Sequence, residues 1–343
     1  MQRKQLDTLL TAAVTVLVVA VLGLGGYFGY TVYQDRVNNE NSTPALRVIK
    51  VIRDQVRRSP NDPILRVRLG EALAAAGRAQ QAIEQFNAAL KIDPKHTGAY
   101  LDLGQLAMSE KRPIEAERYF NKVIELTDDS NMEGINQRRE TAFYNLGLLN
   151  LQNKKYEEAI GSFKAALRIR NDASDTYYYL GRALYLDDEP DGAMQNLQYS
   201  LSFDPNFAQA NYLAGRIYMD KGDKVNASWY FERASQNDPN ATEPKAAIQK
   251  FGDPQKYVAQ ARKLQTTDFD AALTNAQIGC NLLPDDTAAW NLQRDIRVAR
   301  VGVAKALKSF KNMATKDPQN TQIQRIVKEL TAKLSKSNKT KKR

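Results

Sequence analysis

The side chains able to carry out covalent chemistry are few in this chain of 343 residues. Cys280 and His96 are the single cysteine and the single histidine. No disulfide can form within the chain. A haem-attachment motif and a zinc cluster are excluded, and a Cys-His or Ser-His-Asp triad would have to use His96. His96 falls in the turn Pro94-Lys95-His96-Thr97, and the expectation is an exposed turn residue. Cys280 is expected to be a buried apolar filler. The carboxylate pairs Asp128-Asp129 and Asp187-Asp188 are adjacent in loops, with no base, metal ligand set or phosphate-binding glycine loop beside them. The expectation is therefore no enzyme, no cofactor and no metal. What recurs instead is binding chemistry. Tyr144, Tyr178 and Tyr212 lie at a common period, followed one turn on by Leu148, Arg182 and Arg216, and a further turn on by Leu151, Tyr185 and Met219. Tyr and Arg supply most hot-spot energy at protein interfaces, and Met adapts to shape.

The elements that position these residues repeat. Leu180-Gly181, Ala193 and Pro205 return 34 residues later as Ala214-Gly215, Ala227 and Pro239. Backwards along the chain, Gly147, Ala159 and Phe163 line up, then Gly104, Ala116 and Phe120, then Gly70, Ala82, Phe86 and Pro94. A fixed period of this length predicts stacked helical hairpins, each buried against its neighbours. Small residues let paired helices approach closely. Phe86, Phe120, Phe163 and Phe231 are expected to fill the gap to the next repeat, and the recurring prolines to stop each second helix.

This pattern resembles the tetratricopeptide repeat (TPR) family over roughly residues 45–320. Tyr100, Leu103-Gly104, Ala116 and Phe120 carry the signature in one copy; Phe143, Leu146-Gly147, Ala159, Phe163 and Ala166 carry it in another. The copy near Thr287 has Trp290, Ala306, Phe310 and Pro318, but Arg294 where Gly is expected. The copy near Asp253 keeps only Ala272, Ala276 and Pro284. The resemblance implies an all-α solenoid whose first helices line a concave groove. It makes Tyr144, Leu148, Leu151, Tyr178, Arg182, Tyr185, Tyr212, Arg216 and Met219 the partner-binding positions; packing of the tyrosines between helices is the competing reading. One TPR subclass clamps a C-terminal carboxylate with paired Lys and Asn. The matching positions here are Val67, Glu71, Leu101 and Gln105, so that clamp is absent.

The rest of the chain divides as follows. Residues 1–8 are a short basic start. Leu9–Tyr33 carries no charge and its 25 residues would extend about 37 Å as a helix, enough for a hydrocarbon core of about 30 Å. A transmembrane anchor is expected there, with a cleaved signal peptide as the rival. Arg3 and Lys4 favour extracytoplasmic repeats, and Gly25 and Gly29 suggest self-association in the bilayer. Residues 34–44 read as a linker, 45–240 as the regular block opened by a lone capping helix, 241–252 as a seam, 253–320 as divergent repeats and 321–335 as a terminal cap. Residues 336–343 are a basic tail expected to be disordered. The net charge is +10, and Lys328–Arg343 alone contributes +6. The repeats are thus mildly basic, which argues against a nucleic-acid footprint along them. The function expected is a membrane-anchored scaffold that holds a protein partner of an envelope complex. The rivals are a cytosol-facing receptor, and an anionic-lipid or nucleic-acid binder working through the tail.

Overall fold

A computed structural model describes residues 27–33, 43–127 and 133–340, with side chains from residue 136 onward after the second gap and up to residue 337. Every described element is a helix. Helix α1 covers residues 27–33. The others are α2 (Pro44–Arg58), α3 (Pro63–Ala75), α4 (Ala79–Ile92), α5 (Thr97–Ser109), α6 (Pro113–Leu126), α7 (Glu133–Gln152), α8 (Tyr156–Ile169) and α9 (Ser174–Leu186). They continue as α10 (Pro190–Phe203), α11 (Ala208–Asp220), α12 (Lys224–Asn237), α13 (Thr242–Gln249), α14 (Pro254–Leu264), α15 (Phe269–Leu282), α16 (Thr287–Lys316) and α17 (Thr321–Thr340).

The chain falls into two compact units, Met1–Asn145 and Leu146–Arg343, so the division lies inside α7 and not at the 241–252 seam. In the first unit α2 covers the array start through Ile49 and Val56, and α3/α4 and α5/α6 form hairpins. The second unit holds the hairpins α9/α10, α11/α12 and α14/α15.

Two local devices recur in the hairpins. The first is a left-handed residue after the first helix: Gly77, Lys111, Lys154, Asp188 and Gly222 all have positive φ. The following residue then bonds back to the carbonyl five positions earlier, as Arg78 does to Leu73 at 2.8 Å and Asp223 to Tyr218 at 2.9 Å. This is the Schellman closure of a helix C-terminus. The second device is the Asp-Pro pair at 93–94, 204–205, 238–239 and 317–318. A residue before proline is pushed out of the helical region, and Asp93 is extended (φ −125°, ψ 92°). Its carboxylate accepts the Lys95 N–H at 3.0 Å, fixing the turn into the next hairpin.

The glycines sit where predicted, and the phenylalanines face two ways: the Phe163 ring stacks 6.0 Å from Tyr179 of the next repeat and Phe231 stands 6.5 Å from Phe251. Each also packs onto the glycine of its own hairpin. A Cβ on Gly70, Gly104 or Gly147 would lie 2.5 Å from the ring of Phe86, Phe120 or Phe163. Where the partner is Leu197 the approach is looser: a Cβ on Gly181 would meet it at 3.1 Å.

The divergent block keeps helical pairs with altered joints. Within residues 241–252 the short helix α13 forms and buries Pro244 and Ala247, and Phe251 is buried just after it. Helix α12 then packs against α15, through Ala227 and Phe231 on one side and Ile278 and Leu282 on the other. The copy near Thr287 is two helices broken only by Gly302 (φ 77°). Arg294, at its expected glycine site, points to partners instead, bonding Glu329 at 2.7 Å and Asp295 at 2.8 Å. Helix α17 buries Ile323, Ile326 and Leu330 as a terminal cap, and it continues to Thr340. Residues 336–340 are therefore helical rather than disordered, because Lys, Ser, Thr and Asn supply no proline or glycine stop.

The membrane expectation is overturned. Among the described residues no helix is long and apolar enough to cross a membrane. Of the Leu9–Tyr33 run, residues 27–33 are described and are helical. Residues 9–26, including Gly25, lie outside the described residues. A Cβ on Gly29 meets nothing within 4 Å. The single-pass localisation with extracytoplasmic repeats is withdrawn with the membrane expectation. The linker expected at 34–44 lies outside the described residues up to position 42, and Thr43 caps α2.

Candidate functional site

Helices α9 and α11 place the recurring residues of the second unit on one wall. Successive positions four and three apart share a helix face, so Tyr178, Arg182 and Tyr185 form one stripe and Tyr212 and Arg216 the next. Together with Leu186, Asp238 and Glu243 they line a cavity of about 560 Å³.

The two arginines differ. Arg216 is held: its Nη2 donates to the Tyr185 hydroxyl at 3.1 Å, and its guanidinium lies 5.2 Å above the Tyr185 ring. The same hydroxyl donates to Asp220 Oδ2 at 2.6 Å. Arg216, Tyr185 and Asp220 thus close a network between neighbouring repeats. Burial first, and then Asp220, push the Tyr185 hydroxyl pKa up. Arg182 is exposed, and its nearest polar relation is the Tyr178 hydroxyl on its own helix. Burial raises the Tyr178 pKa and Arg182 opposes the rise. The Tyr178 ring stands 4.9 Å from Tyr179 and 5.0 Å from Phe207, so its body is fixed while its edge reaches the cavity.

The remaining positions are placed differently. Tyr212 lines the cavity and also packs its ring 5.7 Å from Phe231. Met219 packs against the cluster of Phe231, Ala247 and Phe251. Leu151 is 8% exposed and is a core residue. Leu148 is half-buried. Tyr144, also half-buried, falls in the first unit, and the residues lining the cavity described above all belong to the second.

One residue of functional type was missed in the sequence. Asp102, in the first unit, has its carboxyl pushed up to about 7 by burial and then by Glu71, with Arg138 opposing. The sequence singled out only carboxylates adjacent in the chain, whereas Glu71 and Asp102 meet across two helices. His96 is not an exposed turn residue. It is half-buried and caps α5, its Nδ1 accepting the Ala99 N–H at 3.1 Å. Cys280 is buried, as expected, and burial drives its thiol pKa well up. Among the described residues no group of His, Cys, Asp and Glu is arranged to hold a metal ion.

Sequence profiles described as tetratricopeptide repeat match residues 73–134, residues 45–97 with 136–176, and residues 208–240. The chain carries tetratricopeptide repeats, and its fold is an all-α TPR solenoid. Among curated proteins it is similar to anaphase-promoting complex subunit 3 of Schizosaccharomyces pombe, at 20% identity over 196 residues, 57% of this chain and 28% of that protein. It is also similar to protein O-mannosyl-transferase TMTC3 of Homo sapiens, at 27% identity over 168 residues, 47% of this chain and 17% of that protein. The chain thus spans less than a third of either relative, and the transferase activity in the second name is a statement about that protein. A solved structure of Pseudomonas aeruginosa pilF superposes with a TM-score of 0.50 at 22% identity, covering 62% of this chain and 90% of that one. That likeness concerns the fold alone.

Proposed function

We propose that this TPR protein is a non-enzymatic scaffold that holds an acidic segment of a partner protein in the Tyr178–Arg182–Arg216 cavity. The observation that carries the reading is the contrast between the arginines. Arg216 is braced by Tyr185 and Asp220, while Arg182 stays exposed at the cavity wall. A guanidinium on a rigid aromatic frame suits a carboxylate, and fixed aromatic rings cost little entropy on binding. Asp238 and Glu243 on the facing wall give the cavity a negative side, which sets the direction in which an acidic segment lies.

The test is affinity capture with wild type and Arg182→Ala, followed by fluorescence anisotropy with a peptide from the captured partner. Arg182→Ala is expected to lower affinity about tenfold or more, and Tyr178→Ala about thirtyfold, near 2 kcal/mol. Circular dichroism checks that both variants remain folded. Unchanged recovery and affinity in folded variants would remove the cavity as the site. Binding that survives Arg182→Ala but falls steeply with salt would shift the interaction to the basic helix α17.

A further inference from the structure

A second cavity of the second unit encloses about 730 Å³, and no repeat signature points to it. It opens where the regular hairpins meet the divergent block. Helix α12 supplies one wall; α15, the end of α16 and the start of α17 supply the other. The volume falls in the range of ligand sites. Its position follows from α12 packing on α15 rather than on a regular next hairpin.

The wall chemistry is specific. Tyr218 and Tyr230 stack at 5.5 Å, and Trp229 meets Tyr230 edge-on at 4.7 Å. Arg233 lies 5.0 Å over Trp229 and pairs with Asp317 at 3.2 Å, both side chains under 20% exposed. Those two charges cancel each other. Glu232 and Asp285 also line the cavity, from α12 and from the loop after α15, and no ion pair engages either among the described residues. One cation, Lys316, stands against these two carboxylates. The side chains of Gln198 and Gln277 present amides that can donate to and accept from a peptide backbone.

We propose that this cavity is a second binding site, taking a lysine or arginine side chain presented by an extended peptide segment of a partner. The cation sits between the carboxylates of Glu232 and Asp285, beside the aromatic wall, where the anions favour it. Burial, with Asp285 adding to it, already holds the Glu232 carboxyl above its ordinary range; an incoming cation relieves that repulsion. An acidic segment would meet the same carboxylates as like charges, so this site and the Arg182 cavity select opposite partners.

The chain carries its own reporter, because its two tryptophans, Trp229 and Trp290, both line this cavity. The experiment titrates the full chain with acetyl-Ala-Ala-Lys-Ala-Ala-amide, with its Glu counterpart, and with 1,5-diaminopentane, following tryptophan emission. The Lys peptide is expected to give a saturable change, the Glu peptide none, and the diamine a weaker one. Glu232→Gln with Asp285→Asn should weaken Lys-peptide binding about tenfold or more, and Arg182→Ala should leave it unchanged. Glu232→Gln alone serves if the double variant loses helix content by circular dichroism. The proposal falls if the Glu peptide binds as well, if no probe gives a saturable change at millimolar concentration, or if Lys-peptide binding survives loss of the carboxylates. A diamine that binds as tightly as the peptide also overturns it, since the site would then recognise a free amine rather than a peptide.

Discussion

Gly147→Ala places one methyl group against the ring of Phe163. The Cβ would lie 2.5 Å from Cε1, and 2.7 Å from both Cδ1 and Cζ. Phe163 is fully buried, so the ring has no free direction in which to retreat. Overpacking of this kind costs about 1–3 kcal/mol, and three close ring atoms argue for the upper end, about 3. Alanine in a helix interior regains about 1 kcal/mol relative to glycine. The net loss is then about 2 kcal/mol, a drop of roughly 4–8 °C in melting temperature for a unit of this size. Two other glycines supply controls. Gly161 has nothing within 4 Å of its Cβ position, so Gly161→Ala should raise stability by about 1 kcal/mol. Gly181 faces Leu197 at 3.1 Å, so Gly181→Ala should fall between the two. A double-mutant cycle with Phe163→Leu should recover about 1–2 kcal/mol of the Gly147→Ala loss, since leucine restores the looser geometry of the Gly181 hairpin. The assay is thermal unfolding followed by circular dichroism and calorimetry. If Gly147→Ala raises the melting temperature as Gly161→Ala does, the helix crossing is not where the structure puts it.

Two further outcomes concern the first unit. Asp102 has a folded pKa of about 7, well above its ordinary 3.8, so the folded state binds the proton more tightly and the unit loses stability as pH rises from about 4 to 7. Asp102→Asn should flatten that slope in hydrogen-exchange protection of α5, and an unchanged slope would contradict the burial of the carboxyl. His96→Ala removes the α5 cap and should cost about 1 kcal/mol, while His96→Asn keeps an acceptor and most of the stability; equal melting for both variants would refute the cap.

The hairpins were legible because their determinants are local. A glycine, an alanine and a bulky residue at fixed offsets specify one helix crossing, and the crossing recurs wherever they do. The Asp-Pro stops were legible for the same reason. Less readable was that the Phe163 ring packs on Gly147 of its own hairpin as well as facing the next repeat, since the offset from Gly147 to Phe163 is the same in either case. Helix α13 was read as a seam because it is one short helix without the signature. Of the expected binding column, Tyr178, Arg182, Tyr185, Tyr212 and Arg216 share one cavity wall, because their period matches the repeat. Leu151 is in the core, which the stripe alone did not reveal. The braced state of Arg216 depends on Asp220, a residue outside the stripe. The larger cavity had no periodic signal at all, because its lining comes from six helices and three connecting loops far apart in the chain.

The Arg233–Asp317 pair joins residues 84 positions apart. Most other contacts in the repeats are made within one hairpin or with the next, and can form as the chain emerges from the ribosome. Elongation proceeds at roughly 5–20 residues per second, so Asp317 follows Arg233 by about 4–17 s. During that interval α11 and α12 can fold while Trp229 and the Arg233 guanidinium still face solvent. The ion pair is thus a timing mark in vectorial synthesis: the larger cavity acquires its far wall only when almost the whole divergent block has been made. A nascent chain stalled before Asp317 presents a folded TPR surface with that wall missing.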